Sequence, residues 1–222
     1  MLAGDLKALN ESRRDMTDRV VDEAMAKVEQ TDIRGDKVLV IYLPDCHESL
    51  AGLVAGRVRE NYYRPVFVLT DSEDGVKGSG RSIESYSMYE ELTGCGDLLT
   101  KFGGHPMAAG LSLDKENVEK FKRRLNDQCT LSEEELTEKV VIDMELPFAA
   151  ITEHFIEELE YMEPFGKGNT KPVFAARGVV MQHMKIIGKN NGKMSITFYP
   201  GINEFRGERQ IQIVITHYRD KF

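Results

Sequence analysis

The residues best equipped for chemistry fall in two short glycine-bearing stretches. In Phe102-Gly103-Gly104-His105-Pro106-Met107-Ala108-Ala109-Gly110, adjacent glycines precede a histidine and a run of small residues. Glycine admits positive φ and close approach of a ligand, and consecutive backbone N–H groups in such a turn form a concave anion site. His105 and Lys101 would stand at its mouth as donors. In Lys77-Gly78-Ser79-Gly80-Arg81-Ser82, glycines bracket a hydroxyl and a guanidinium follows at once. Arginine offers phosphate a fork of donors that lysine lacks. Alone, each stretch reads equally well as an ordinary glycine turn, the histidine satisfied by a carbonyl. Together, Ser79, Gly80, Arg81, Gly103, Gly104 and His105 point to a phosphate-binding cleft.

Such a cleft needs a scaffold, and the residues around it supply one. Val38–Leu43 is a continuous apolar run ended by Pro44, Ser49–Tyr62 carries an apolar stripe with a thin Ala/Gly face, and Pro65–Thr70 is apolar again. Strand, helix and strand in about thirty residues form a βαβ unit with parallel strands. His47 falls in the loop after the first strand, where α/β folds bind ligands, and Arg57 lies on the crossover helix. A structural loop histidine and a solvent-facing helix charge are the alternatives. The two glycine stretches read as loops, Ala109–Leu113 as a strand, and Asp114 as the N-cap of a helix carrying Val118, Phe121 and Leu125. Before all this, Leu6, Leu9, Met16 and Val20 recur at helical spacing, so Leu2 to Val28 reads as one long amphipathic helix. The acidic segment Ser132–Glu138 is the linker candidate, its glutamates solvated.

Beyond it the pattern becomes alternating, with Val140, Ile142, Met144 and Leu146 on one face of an expected strand. A helix over Thr152–Met162 and a third glycine turn at Glu163–Asn169 precede β-type segments at Val173–Ile187, Met194–Tyr199 and Gln210–Tyr218, as in a small barrel or sandwich. The net charge of −8 is uneven. Residues 177–222 hold 8 Lys/Arg and 3 Asp/Glu, or +5, leaving 21 against 34, or −13, for the rest. Phe198, Tyr199, Phe205 and Tyr218 interleave there with Lys185, Lys189, Lys193, Arg206 and Arg209. Stacking faces among cations are how sequence-tolerant single-strand binding works; core aromatics with solubilising charges are the alternative. Cys46, Cys95 and Cys129 are widely spaced, without a disulfide framework or zinc pattern. No run reaches membrane-span length and no secretory signal is present, so a cytoplasmic location without membrane contact is expected.

Taken in order, GSGRS, FGGHPMAAGLSL, EPFGKGNTKPVF and INEFRGERQIQIVI resemble the RecJ family of single-strand-specific DNA exonucleases. The resemblance implies an α/β DHH-associated domain with a βαβ unit and mixed sheet over residues 31–130, preceded by a connector helix over 1–30. It implies a mostly β, oligonucleotide-binding (OB)-like barrel over 139–222. Single-stranded DNA would then be the partner, its phosphates held by Ser79, Gly80, Arg81, Gly103, Gly104 and His105. His47, Arg57, Lys101, Lys185 and Arg206 are further candidates for contact with the strand. The chain departs from the family in two ways. The metal-binding DHH domain is absent, and His47, His105, His154, His183 and His217 are isolated from any Asp-His-His run. Two-metal hydrolysis needs such a cluster. This chain is therefore expected to bind no cofactor and cleave nothing alone, with manganese or magnesium in a missing N-terminal partner. Between Ile187 and Met194, moreover, only six residues replace several strands, leaving the barrel incomplete or a segment omitted. Two rival readings remain: the substrate-binding part of a DHH-superfamily phosphodiesterase for cyclic dinucleotides or short oligonucleotides, and a non-enzymatic RNA-binding module.

Overall fold

The computed structural model describes residues 2–180 and 193–219. The chain divides into two compact units, Met1–Glu138 and Lys139–Phe222.

The first unit begins with α1 (Leu2–Gln30). Its packing stripe is Val21, Ala24 and Val28, whereas Leu9 and Met16 of the anticipated stripe are exposed. β1 (Leu39–Tyr42), α2 (Glu48–Tyr62) and β2 (Val66–Ser72) form the βαβ unit, with β1 and β2 parallel from Leu39↔Val66 to Tyr42↔Leu69. β3 (Gly75–Arg81), α3 (Met88–Gly94), β4 (Leu99–His105), β5 (Ala108–Leu113) and α4 (Val118–Gln128) follow. The five strands make one mixed sheet in the order β1-β2-β3-β5-β4. Asp114 precedes a short 3-10 turn and makes no side-chain capping bond, so α4 starts later than its expected cap.

The two glycine stretches are strands, not loops. Lys77 to Arg81 lies in β3, while Phe102 to Gly110 spans β4, a two-residue connection at Pro106-Met107, and β5. The reason is packing on one side of the sheet. A Cβ on Gly78 would fall 2.4 Å from Leu69 Cδ2, and one on Gly80 2.7 Å from Phe67 Cε1 and 2.9 Å from Met88 Sδ. Large neighbours fill the space that β3 leaves, and Phe67 meets Phe121 of α4 edge to face at 5.6 Å. α3 and α4 cover this side through Met88, Leu92, Phe121 and Leu125. α1 and α2 cover the other side, α1 beside β1 and α2 over β2 and β3, and Leu39, Ile41, Val66 and Val68 share a core there with Leu50, Val54 and Val58. β2 is thus buried on both faces, which its unbroken apolar run reflects.

Ser132–Glu138 is not simply a solvated linker. Leu131 and Leu136 are buried in the first unit, and Arg64 Nη1 donates to the Leu136 carbonyl at 2.6 Å.

In the second unit, β6 (Met144–Glu145), α5 (Glu153–Glu160), β7 (Phe174–Val180), β8 (Lys193–Phe205) and β9 (Glu208–Arg219) form a sheet ordered β6-β7-β8-β9, with α5 packed beside it. The alternation from Val140 yields only the two-residue β6, with Val141, Ile142 and Met144 exposed and Leu146 buried. Among the described residues the sheet is open, β6 and β9 being its edges. Arg206 and Gly207, both at positive φ, connect β8 to β9 as a tight hairpin. Lys185, Lys189 and the junction after Ile187 lie outside the described residues.

Replacing Gly80 by valine would force its side chain into Phe67 and Met88. Overpacking of this kind costs about 1 to 3 kcal/mol, which urea unfolding followed by circular dichroism should read as a lower midpoint.

Candidate functional site

A pleated strand sends successive side chains to opposite faces, so the core contacts of Gly78 and Gly80 place Lys77, Ser79 and Arg81 on the α2 side of the sheet. Register extends that face across β5 and β4 in three rows: Lys77–Ser112–Lys101, Ser79–Gly110–Gly103 and Arg81–Ala108–His105. Adjacent rows are about 7 Å apart, and Arg81 and His105 stand about 10 Å apart across the sheet. α2 flanks β3 on this face. Beside it runs a groove of about 560 Å³, lined by Glu48, Ser49 and Ala51 of α2, Thr70 of β2, and the first two rows.

The floor of the groove is bare. A Cβ on Gly103 would meet nothing within 4 Å, and one on Gly110 only the Gly78 carbonyl at 3.9 Å. Neither glycine has a left-handed backbone. Glycine inside a strand gives up entropy and side-chain packing, and here nothing within the first unit requires it. The two positions leave room for something to lie flush on the strands.

Arg81 is the principal cation. Its Nη1 donates to Ser79 Oγ at 3.2 Å and to the Gly80 carbonyl at 2.8 Å. The side chain lies against α2 because Gly52 makes room: a Cβ there would fall 2.7 Å from Arg81 Nη2 and 3.0 Å from Ser79 Oγ. Among the described residues it has no carboxylate partner, although it is half-buried. Arg81 and His105 form the row just beyond the groove's lining residues, whereas Lys77 lines the groove itself, its Nζ 2.7 Å from Glu48 Oε2. Their hydrogen bond and opposite charges lower the Glu48 pKa and raise that of Lys77, so both are charged at neutral pH.

The anticipated concave backbone site does not form. β3 and β5 are paired on both sides, so their N–H groups are committed to the ladders and the donors facing the groove are side chains. Gly80 and Gly104 belong to the opposite, core-facing set; a Cβ on Gly104 would fall 2.4 Å from the Ala108 carbonyl. Ser79, Arg81, Gly103, His105 and Lys101 share the groove face. His47 caps α2, its Nδ1 accepting from the Ser49 N–H at 3.2 Å, which leaves Nε2 as its remaining polar atom. Arg57 is exposed on α2 and does not line the groove. The sequence reading missed Glu48, Gly52, Lys77, Gly110 and Ser112 as site residues. For Lys77 the signal was present in its period-two spacing from Ser79 and Arg81.

In the second unit, Phe198 is fully buried and Tyr199 is packed against the core beneath Lys171, whose Nζ is 3.7 Å from the ring centroid. Both are structural, contrary to a role as open stacking faces. Phe205 and Tyr218 are exposed, and the Arg206 guanidinium lies 5.2 Å from the Phe205 ring at the hairpin tip. Lys185 lies outside the described residues. Among those described, no group of three or more His, Cys, Asp or Glu is placed to hold a metal ion, and no helix is long and apolar enough to cross a membrane.

Comparison with known proteins adds to this geometry. The DHHA1 domain family matches residues 35–131 and the RecJ OB domain family residues 142–197. The single-stranded-DNA-specific exonuclease RecJ of Bacillus subtilis (strain 168) is 35% identical over 200 residues, covering 88% of this chain and 25% of that protein. The protein of the same name from Dickeya dadantii (strain 3937) is 32% identical over 257 residues, covering 98% and 45%. The crystal structure of RecJ in complex with Mg2+ from Thermus thermophilus superposes on all of this chain and 38% of that one, with a TM-score of 0.81 at 22% identity. The chain spans less than half the length of these relatives.

The bare floor can be tested without any ligand. Gly103→Val and Gly110→Val place a β-favouring side chain in open space, so each should leave the thermal midpoint unchanged or raise it, gaining up to about 1 kcal/mol. Differential scanning calorimetry on both variants checks this.

Proposed function

The chain belongs to the RecJ family, spanning its DHHA1 and RecJ OB domains, and on that premise we propose that its groove holds the phosphate backbone of single-stranded DNA. The observation that carries the reading is the Arg81 guanidinium, half-buried and without a carboxylate among the described residues, beside a floor free of side chains. A guanidinium in that position is completed by a phosphate through charge-assisted hydrogen bonds. Ser79, Lys101 and His105 add donors to the same face, and Gly103 and Gly110 let the strand lie against bare backbone. His47 and Arg57 play at most a flanking part in this assignment. On the OB unit, taken by itself, Arg206 with Phe205 offers a cation and an exposed ring to the same kind of ligand.

The parent in this reading is a 5′-to-3′ exonuclease of the cytoplasm, acting on single strands in DNA repair and recombination. Its hydrolytic metal, manganese or magnesium, would sit in a DHH domain outside this chain. Two such ions activate water and neutralise the leaving oxygen; the groove's part is to bind and orient the strand that reaches them. On its own the chain is a binding module.

Fluorescence anisotropy with a labelled oligothymidylate at fixed salt tests the assignment. Arg81→Ala should weaken binding by about 1 to 3 kcal/mol, the loss of a charge-assisted hydrogen bond. Gly110→Val should weaken it comparably while the fold is kept. An unchanged dissociation constant for both would remove the groove from the binding site, and folded tRNA outcompeting the oligonucleotide would favour an RNA-binding module.

A further inference from the structure

Glu48 is the one carboxylate among the residues lining the groove. It stands at the first position of α2, and its Oε2 lies 2.7 Å from Lys77 Nζ, with both side chains about half exposed. The groove is thus electrostatically unequal along its length. Arg81 has no internal anion among the described residues, while Lys77 carries its own. A phosphate reaching Lys77 must displace Glu48 or share the ammonium with it, and meets its negative charge in either case.

We propose that Glu48 is an internal competitor for Lys77 that keeps one contact of the groove exchangeable and so sets how readily a bound strand is released. The inference rests on the groove being the single-strand site. The residue types suit the two ends. Arginine presents a rigid fork that holds phosphate in one geometry, whereas lysine is a point charge on a flexible stem that changes partners easily. When phosphate leaves Lys77, Glu48 takes its place, so the ammonium passes from one anion to another. A strand advancing past a fixed site needs a contact of that kind beside a firmer one, and Lys77 with Glu48 supplies it next to Arg81.

The test uses the full chain and stopped-flow dissociation of a labelled oligothymidylate, chased with excess unlabelled strand at fixed salt. Glu48→Gln keeps the side-chain shape and removes the charge; its fold is checked by thermal melting. It should slow dissociation and tighten binding by about 1.5- to 5-fold, the range expected for one exposed charge pair. It should also steepen the salt dependence by about one phosphate contact. Lys77→Ala should cost the Glu48→Gln variant more than it costs the wild-type chain. Unchanged or faster dissociation in Glu48→Gln would overturn the inference. Arg81→Ala in the same assay separates the two levels: if it alone weakens binding, only the role of Glu48 falls, and if neither substitution matters, the groove itself is misassigned.

Discussion

Strand β3 ties the core of the first unit to its groove. It pairs with β2 on one side and β5 on the other, so its register is fixed by both neighbours. A one-residue slip would carry Lys77, Ser79 and Arg81 into the apolar side and expose the space that Phe67 and Met88 now fill. Core packing and groove chemistry are therefore the same constraint seen from two faces. Val76, Gly78 and Gly80 answer to the core; the three residues between and after them answer to the groove.

The groove exists because the covering layer stops short. α2 lies over β2 and β3, and its Gly52 lets the helix sit close enough for Arg81 to rest against it. Beyond that line the sheet faces outward with donors at both ends and glycine in the middle. Such a surface is a poor one to leave in contact with itself and a good one for a polyanion, since cations with no competing carboxylate keep their full attraction. Among the described residues, Lys77 is the cation of this face that a carboxylate meets.

Much of this was legible in the sequence, and what was not has a specific cause. β1, α2 and β2 announced themselves because two-sided burial leaves an unbroken apolar run and a helix packed on a sheet leaves a stripe. β3 and β4 were misread as turns because glycine ordinarily marks a turn, whereas here Gly78, Gly80 and Gly104 are small to accommodate close neighbours. Ser79, Arg81 and His105 do share one face of the sheet, but the expected cradle of backbone donors does not form, because the stretches that were to make it are paired strands. Glu48 and Gly52 could not be found from spacing, since their importance comes from what α2 lies against. In the second unit the buried Phe198 and the lysine-capped Tyr199 looked the same in sequence as the exposed Phe205 and Tyr218.

The strand order also bears on how the first unit assembles. β4 and β5 close locally through Pro106-Met107, yet β5 rather than β4 pairs with β3. The hairpin is therefore joined to β3 through its second strand alone. Arg81 and His105 stand on opposite sides of that strand, so any ligand reaching both would span the seam between β3 and β5 and act as a clasp on the fold.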